Sequence, residues 1–122
     1  MTHVISWFEI PVSDFNRAKK FYETILDVTL EIGELAKDLM GFIPAERGDI
    51  SGAIVKGDGY IPSENGVMVY LNGEDDLNTI LERVEDAGGT VLMPKTLITS
   101  EIGYMAQFRD TEGNRIAIHS VR

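Results

Sequence analysis

The chain has 122 residues, no cysteine, and a net charge of −9 from 20 acidic against 11 basic residues. That length favours one compact domain burying about two thirds of its unfolded surface, and the lack of cysteine excludes disulfides, thiolate zinc sites and a cysteine nucleophile. The acidic balance disfavours nucleic acid and anionic membranes as partners, because their phosphates would be repelled.

The opening segment MTHVISWFEIPVS has neither the basic start nor the long apolar run of a signal peptide. No apolar run approaches the roughly 20 residues that span a bilayer, so a soluble cytoplasmic protein is expected. Val4 to Val12 is rich in β-branched and aromatic residues, with Pro11 near its end, and predicts a strand. Ser13 and Asp14 offer a helix N-cap. From there Phe15, Ala18, Phe21, Tyr22, Ile25 and Leu26 recur at helical spacing, with Arg17, Lys19, Lys20 and Glu23 opposite, which predicts an amphipathic helix over Asp14–Leu26.

Three short extended segments are predicted next, near Val28–Ile32, Leu39–Ala45 and Ser51–Val55, separated by glycines. Lys56 to Gly66, KGDGYIPSENG, reads as the connection between two halves. The order then repeats. NGVMVYLNG is an apolar strand, and a second amphipathic helix over Asp75–Ala87 carries Leu77, Ile80, Leu81, Val84 and Ala87 on one face. Gly88 or Gly89 can take the left-handed position that stops it. Further strands are predicted near Thr90–Met93, Gly103–Arg109 and Arg115–Ser120, the last two joined by the turn RDTEGN, where Gly113 suits positive φ.

Strand–helix–strand–strand–strand, twice, predicts an α+β fold with modules at about residues 1–57 and 65–122. Each helix covers one sheet face and leaves the other free, and a cleft between free faces is where function is expected. The stretches FEIPVSDFNRAKKFYETIL, SGAIVKGDGYIPSENGVMVYLNGEDDL and MAQFRDTEGNRIAIHS, together with this order, resemble the vicinal oxygen chelate superfamily of glyoxalase, bleomycin-resistance and dioxygenase proteins. The resemblance implies paired βαβββ modules, eight strands around a cleft, and often a homodimer.

It also implies positions for a divalent metal's histidine and glutamate ligands. These fall on Trp7, on Ala53 or Ile54, on Val67 and on Ala117, none of which can bind a metal. No metal or cofactor is therefore expected. Phosphate-loop, dinucleotide and nucleophile-elbow signatures are missing as well.

Alternation places Glu9 on the face of Trp7, and Arg115 and His119 on the face of Ala117, with Gln107 beside them. Glu9 and His119 form the candidate acid–base pair, since a carboxylate can orient an imidazole for proton transfer near neutral pH. Trp7, Val67, Val69, Gln107 and Arg115 are the candidate ligand-binding residues, with Leu71 completing an apolar wall and Tyr70 expected to pack under the helix. Three functions compete. One is metal-free binding of a small molecule, one is lyase- or isomerase-type catalysis by Glu9 and His119, and one is a structural partner whose cleft is filled by side chains.

Overall fold

In the computed structural model, which describes residues 3–35 and 37–122, β1 (Trp7–Pro11) runs into α1 (Phe15–Leu26). The Asp14 side chain accepts the Arg17 backbone N–H at 3.0 Å, so the predicted cap is the real one. Phe15, Ala18, Phe21, Tyr22 and Ile25 are buried along one face, each large apolar side chain contributing about 1.5–3 kcal/mol. Asp27 ends the helix in the left-handed conformation. Glu23 then accepts the Leu30 N–H, and β2 (Glu31–Leu35) begins three residues later than Val28, its predicted start. β1 likewise starts at Trp7 rather than Val4, which lies outside the ladder and is exposed.

β3 (Asp38–Phe42) and β4 (Ser51–Lys56) complete a first sheet in the order β1-β4-β3-β2. β5 (Tyr70–Asn72), α2 (Asn78–Val84), β6 (Thr90–Thr99), β7 (Gly103–Arg109) and β8 (Arg115–Ser120) repeat the plan, with strand order β5-β8-β7-β6. Parallel pairing of β1 with β4 and of β5 with β8 is matched in the two sheets. Among the described residues the eight strands form two open sheets and no closed barrel.

α2 is shorter than its apolar stripe suggests. Its start is fixed from outside, as the Ser120 hydroxyl accepts the Leu77 N–H at 3.0 Å and Asp76 accepts that of Asn78 at 2.9 Å. Its end is set by Gly88 at φ +109, the predicted left-handed stop. β6 runs well past its predicted end. It is an edge strand, where Pro94 costs no ladder bond and register shifts accommodate it.

One buried cluster unites the helix sides of both sheets. Ile10 and Ile54 from the first sheet join Leu71, Ala106, Phe108, Ile116 and Ile118 from the second, with both helices between. A second, smaller cluster of Met40, Ala53 and Val55 lies on the opposite face of the first sheet.

Candidate functional site

The strand registers fix which residues occupy the faces the helices leave free. On the first sheet Trp7 pairs with Ser51, Glu9 with Ala53, Phe42 with Ala53 and Met40 with Val55, so these share one face. On the second, Ala117 lies opposite both Gln107 and Tyr70, and His119 opposite both Met105 and Asn72. Trp7, Glu9, Gln107, Arg115 and His119 thus occupy the faces that alternation predicts, and Phe8, Ile10, Ile116 and Ile118 pack on the helix side.

One strand is phased differently. Val67 precedes β5 and is 93% exposed, Val69 packs against the main cluster, and Leu71 is buried within it. Tyr70 takes the free face instead and is half exposed. The apolar wall expected from Val69 and Leu71 is therefore part of the core, and Tyr70, expected to pack beneath the helix, is the aromatic that the free face presents. The fourth implied ligand position resolves to Ala53, because Ile54 points into the main core.

Both Glu9 oxygens accept a hydrogen bond. Its Oε1 accepts the Tyr60 hydroxyl at 2.7 Å and its Oε2 accepts the Trp7 indole N–H at 3.3 Å. The Tyr60 phenol is held above its ordinary pKa, first by that hydrogen bond, then by desolvation and the charges of Glu9 and Asp38. Tyr60 belongs to the connection between modules and packs, with Phe42, over Met40, Ala53 and Val55. Gly33 makes room for the Phe42 ring, since a Cβ there would lie 2.8 Å from it.

His119 has a different set of neighbours. Its Nε2 lies 2.7 Å from the Ile102 carbonyl, which can only accept, so this nitrogen carries a proton. The imidazole lines a shallow depression with Tyr70, Asn72, Glu74 and Val121. Glu9 lines another, of about 110 Å³, with Val67, Val69, Asn114 and Arg115. Neither hydrogen-bonds the other. The structure gathers Glu9, Val67, Val69 and Arg115 at the seam between modules and leaves His119 and Gln107 farther along the second sheet.

The connection crosses that seam. Tyr60 reaches Glu9 on the first sheet, the Ser63 N–H reaches the Asn114 side chain at 3.0 Å, and Glu64 pairs with Arg109 on the second sheet. Sequence reasoning misses Tyr60 because it lies in a turn-rich segment without periodicity. Its only signal is an aromatic that follows Gly57 and Gly59.

The closing turn is a polar junction. Asp110 accepts the Tyr22 hydroxyl at 2.6 Å, the Asn114 amide at 2.9 Å, and the backbone N–H groups of Glu112 and Asn114. Glu112 caps α1 by accepting the Ser13 and Asp14 N–H groups at 2.9 and 2.7 Å and the Arg17 Nε at 2.8 Å. Burial pushes the Glu112 carboxyl upward, but the donors from Arg17, Asp14, Thr111 and Ser13 outweigh it and leave the pKa at about 2. These residues build the turn, as expected, and also tie it to the first helix.

The donor set does not fit a chelated divalent metal. Trp7, Ala53 and Ala117 stand at the implied positions on the free faces, and among the described residues no three His, Cys, Asp or Glu side chains gather as a metal site would require. Among the same residues, no helix is long and apolar enough to cross a membrane.

Comparison with known proteins gives a consistent picture. A family model described as the Glyoxalase/Bleomycin resistance protein/Dioxygenase superfamily matches residues 4–118. A glyoxylase-like domain-containing protein from Didymella fabae is 33% identical over 124 aligned residues, covering 93% of this chain and 91% of that one. Among solved structures, a glyoxalase/bleomycin resistance protein from Albidiferax ferrireducens T118 superposes with a TM-score of 0.71 at 22% identity, over 97% of this chain and 98% of that one. Glyoxalase I from Zea mays gives 0.71 at 16% identity, over 94% of this chain and 43% of the maize chain.

Proposed function

Because the chain belongs to the glyoxalase/bleomycin resistance/dioxygenase superfamily, we propose that it is a member that binds a small molecule on its free sheet faces without a resident metal. The observation that carries this reading is the replacement of metal donors by Trp7, Ala53 and Ala117 on faces that still present Glu9, Gln107, Arg115 and His119. Apolar and aromatic floor with a few polar groups is the composition of a ligand surface. Trp7 and Tyr70, 43% and 50% exposed, are the aromatics such a ligand would cover.

A second copy of the chain completes the cleft in this proposal. Within one chain the shared core lies on the helix sides, and no buried cluster among the described residues joins the two free faces. A homodimer setting one chain's first sheet against its partner's second would enclose both.

The test is a thermal-shift screen of metabolites on purified protein, with and without chelator, alongside sedimentation to give the oligomeric state. Small-molecule stabilisation that survives chelation is expected, and zinc, nickel or manganese alone should leave the melting temperature unmoved. Metal-dependent stabilisation would overturn the metal-free reading, and the absence of any stabilising metabolite would overturn ligand binding.

A further inference from the structure

Tyr60 is a side chain placed as a ligand would be. It comes from a connecting segment rather than from a strand, and that segment turns at Gly59 and Gly66, both at positive φ. Its ring, beside that of Phe42, lies on Met40, Ala53 and Val55. Its hydroxyl gives a hydrogen bond to a carboxylate whose other oxygen is held by Trp7.

We propose that Tyr60 is a displaceable internal occupant, and that the first sheet's free face takes a small phenol, which donates its hydroxyl to Glu9 and lays its ring on the Met40–Ala53–Val55 floor while the stretch Gly57–Pro62 swings away. The inference rests on the ligand-binding reading above and names the ligand class and the gate.

Two features make the occupant displaceable, and a third selects what replaces it. Glu9 is exposed, so water competes for the Tyr60 hydrogen bond and its net contribution is modest. The segment's other holds, Ser63 on Asn114 and Glu64 on Arg109, lie three and four residues on and can persist while Gly57 and Gly59 pivot. With Tyr60 gone, one Glu9 carboxylate oxygen beside an apolar floor faces the vacated space, and a neutral hydroxyl on a flat ring can take the place of water there without importing charge. An anionic ligand would be repelled by that carboxylate, and an aliphatic alcohol would leave the floor partly uncovered.

Trp7 is the protein's only tryptophan, so its single indole N–H resonance reports directly on Glu9. The experiment titrates 4-methylphenol, the side chain of tyrosine, and toluene, its hydroxyl-free counterpart, into wild type, Tyr60→Ala, Tyr60→Phe and the double variant Tyr60→Ala, Glu9→Ala. In Tyr60→Ala, saturable movement of the indole signal is expected, with 4-methylphenol binding about tenfold tighter than toluene, the equivalent of one hydrogen bond to a carboxylate. Removing Glu9 should abolish that preference. Wild type should bind 4-methylphenol at least about tenfold more weakly than Tyr60→Ala, because its own tyrosine competes. Should Tyr60→Ala fail to fold, Tyr60→Phe carries the test, with several-fold tighter 4-methylphenol binding than wild type expected.

Equal affinity of folded Tyr60→Ala for the two probes, equal affinity of Tyr60→Phe and wild type, or a wild type that takes no 4-methylphenol at all would overturn the proposal. A metabolite that binds wild type while leaving the indole signal unmoved would remove this inference and keep the broader one. Only a screen in which no small molecule binds removes both.

Discussion

Replacing Glu112 with Gln would test how the closing turn holds the first helix. The carboxylate's side chain is out of contact with solvent and accepts four donors, whereas the amide keeps one acceptor oxygen and turns an NH2 group towards Arg17 or the backbone donors. Lowering the carboxyl pKa from 4.5 to about 2 corresponds to about 3 kcal/mol of stability, at about 1.4 kcal/mol per tenfold change in proton affinity. Arg17 is half exposed, so solvent screening reduces the expectation to about 1–2 kcal/mol. Because the folded-state pKa is depressed, this contribution is fully present above about pH 4.5 and is lost as pH falls towards 2. Urea denaturation of wild type and E112Q across that range should show a gap that is constant near neutrality and closes in acid. A gap that persists unchanged at low pH, or none at pH 7, would refute the assignment of the cap to the ionised carboxylate.

Tyr22→Phe should cost about 1.5–3 kcal/mol, because it removes one donor from the buried Asp110 carboxylate; calorimetry at pH 7 should show a melting temperature lower by roughly 5–10 °C. Ser120→Ala should cost about 1 kcal/mol by uncapping α2, and hydrogen exchange should locate the loss in the Leu77–Leu81 amides. Gly103→Ala should be more damaging than either, since a Cβ there would lie 2.3 Å from the Ser120 carbonyl at a φ of +107; circular dichroism melting would reveal it, and a neutral result would contradict the close packing of β7 on β8.

Local sequence pattern was informative wherever it had a single phase. The 3.6-residue stripe from Phe15 to Ile25 and the alternation of Ile116 and Ile118 against Ala117 and His119 each admit one face assignment, and the structure has it. VMVYL, from Val67 to Leu71, is apolar at every position, so alternation cannot phase it. Pairing of Tyr70 with Ala117 decides the matter and sends Val69 and Leu71 inward. Contacts between distant segments were beyond reach for a different reason. Tyr60 on Glu9 and Glu112 on Ser13 join residues 51 and 99 positions apart, and neither turn composition nor helix capping rules name a partner at that range.

Glu112 and Asp110 follow the helix they secure by 98 and 88 positions at Asp14 and Tyr22. At a synthesis rate of about 5–20 residues per second, roughly 5–20 seconds separate the appearance of α1 from that of its cap. Through that interval a nascent chain lacks the Glu112 acceptor for its Ser13 and Asp14 amides and the Asp110 acceptor for the Tyr22 phenol, and Asp14 alone caps the helix. These contacts on α1 can therefore form only once the second module has been made through its closing turn.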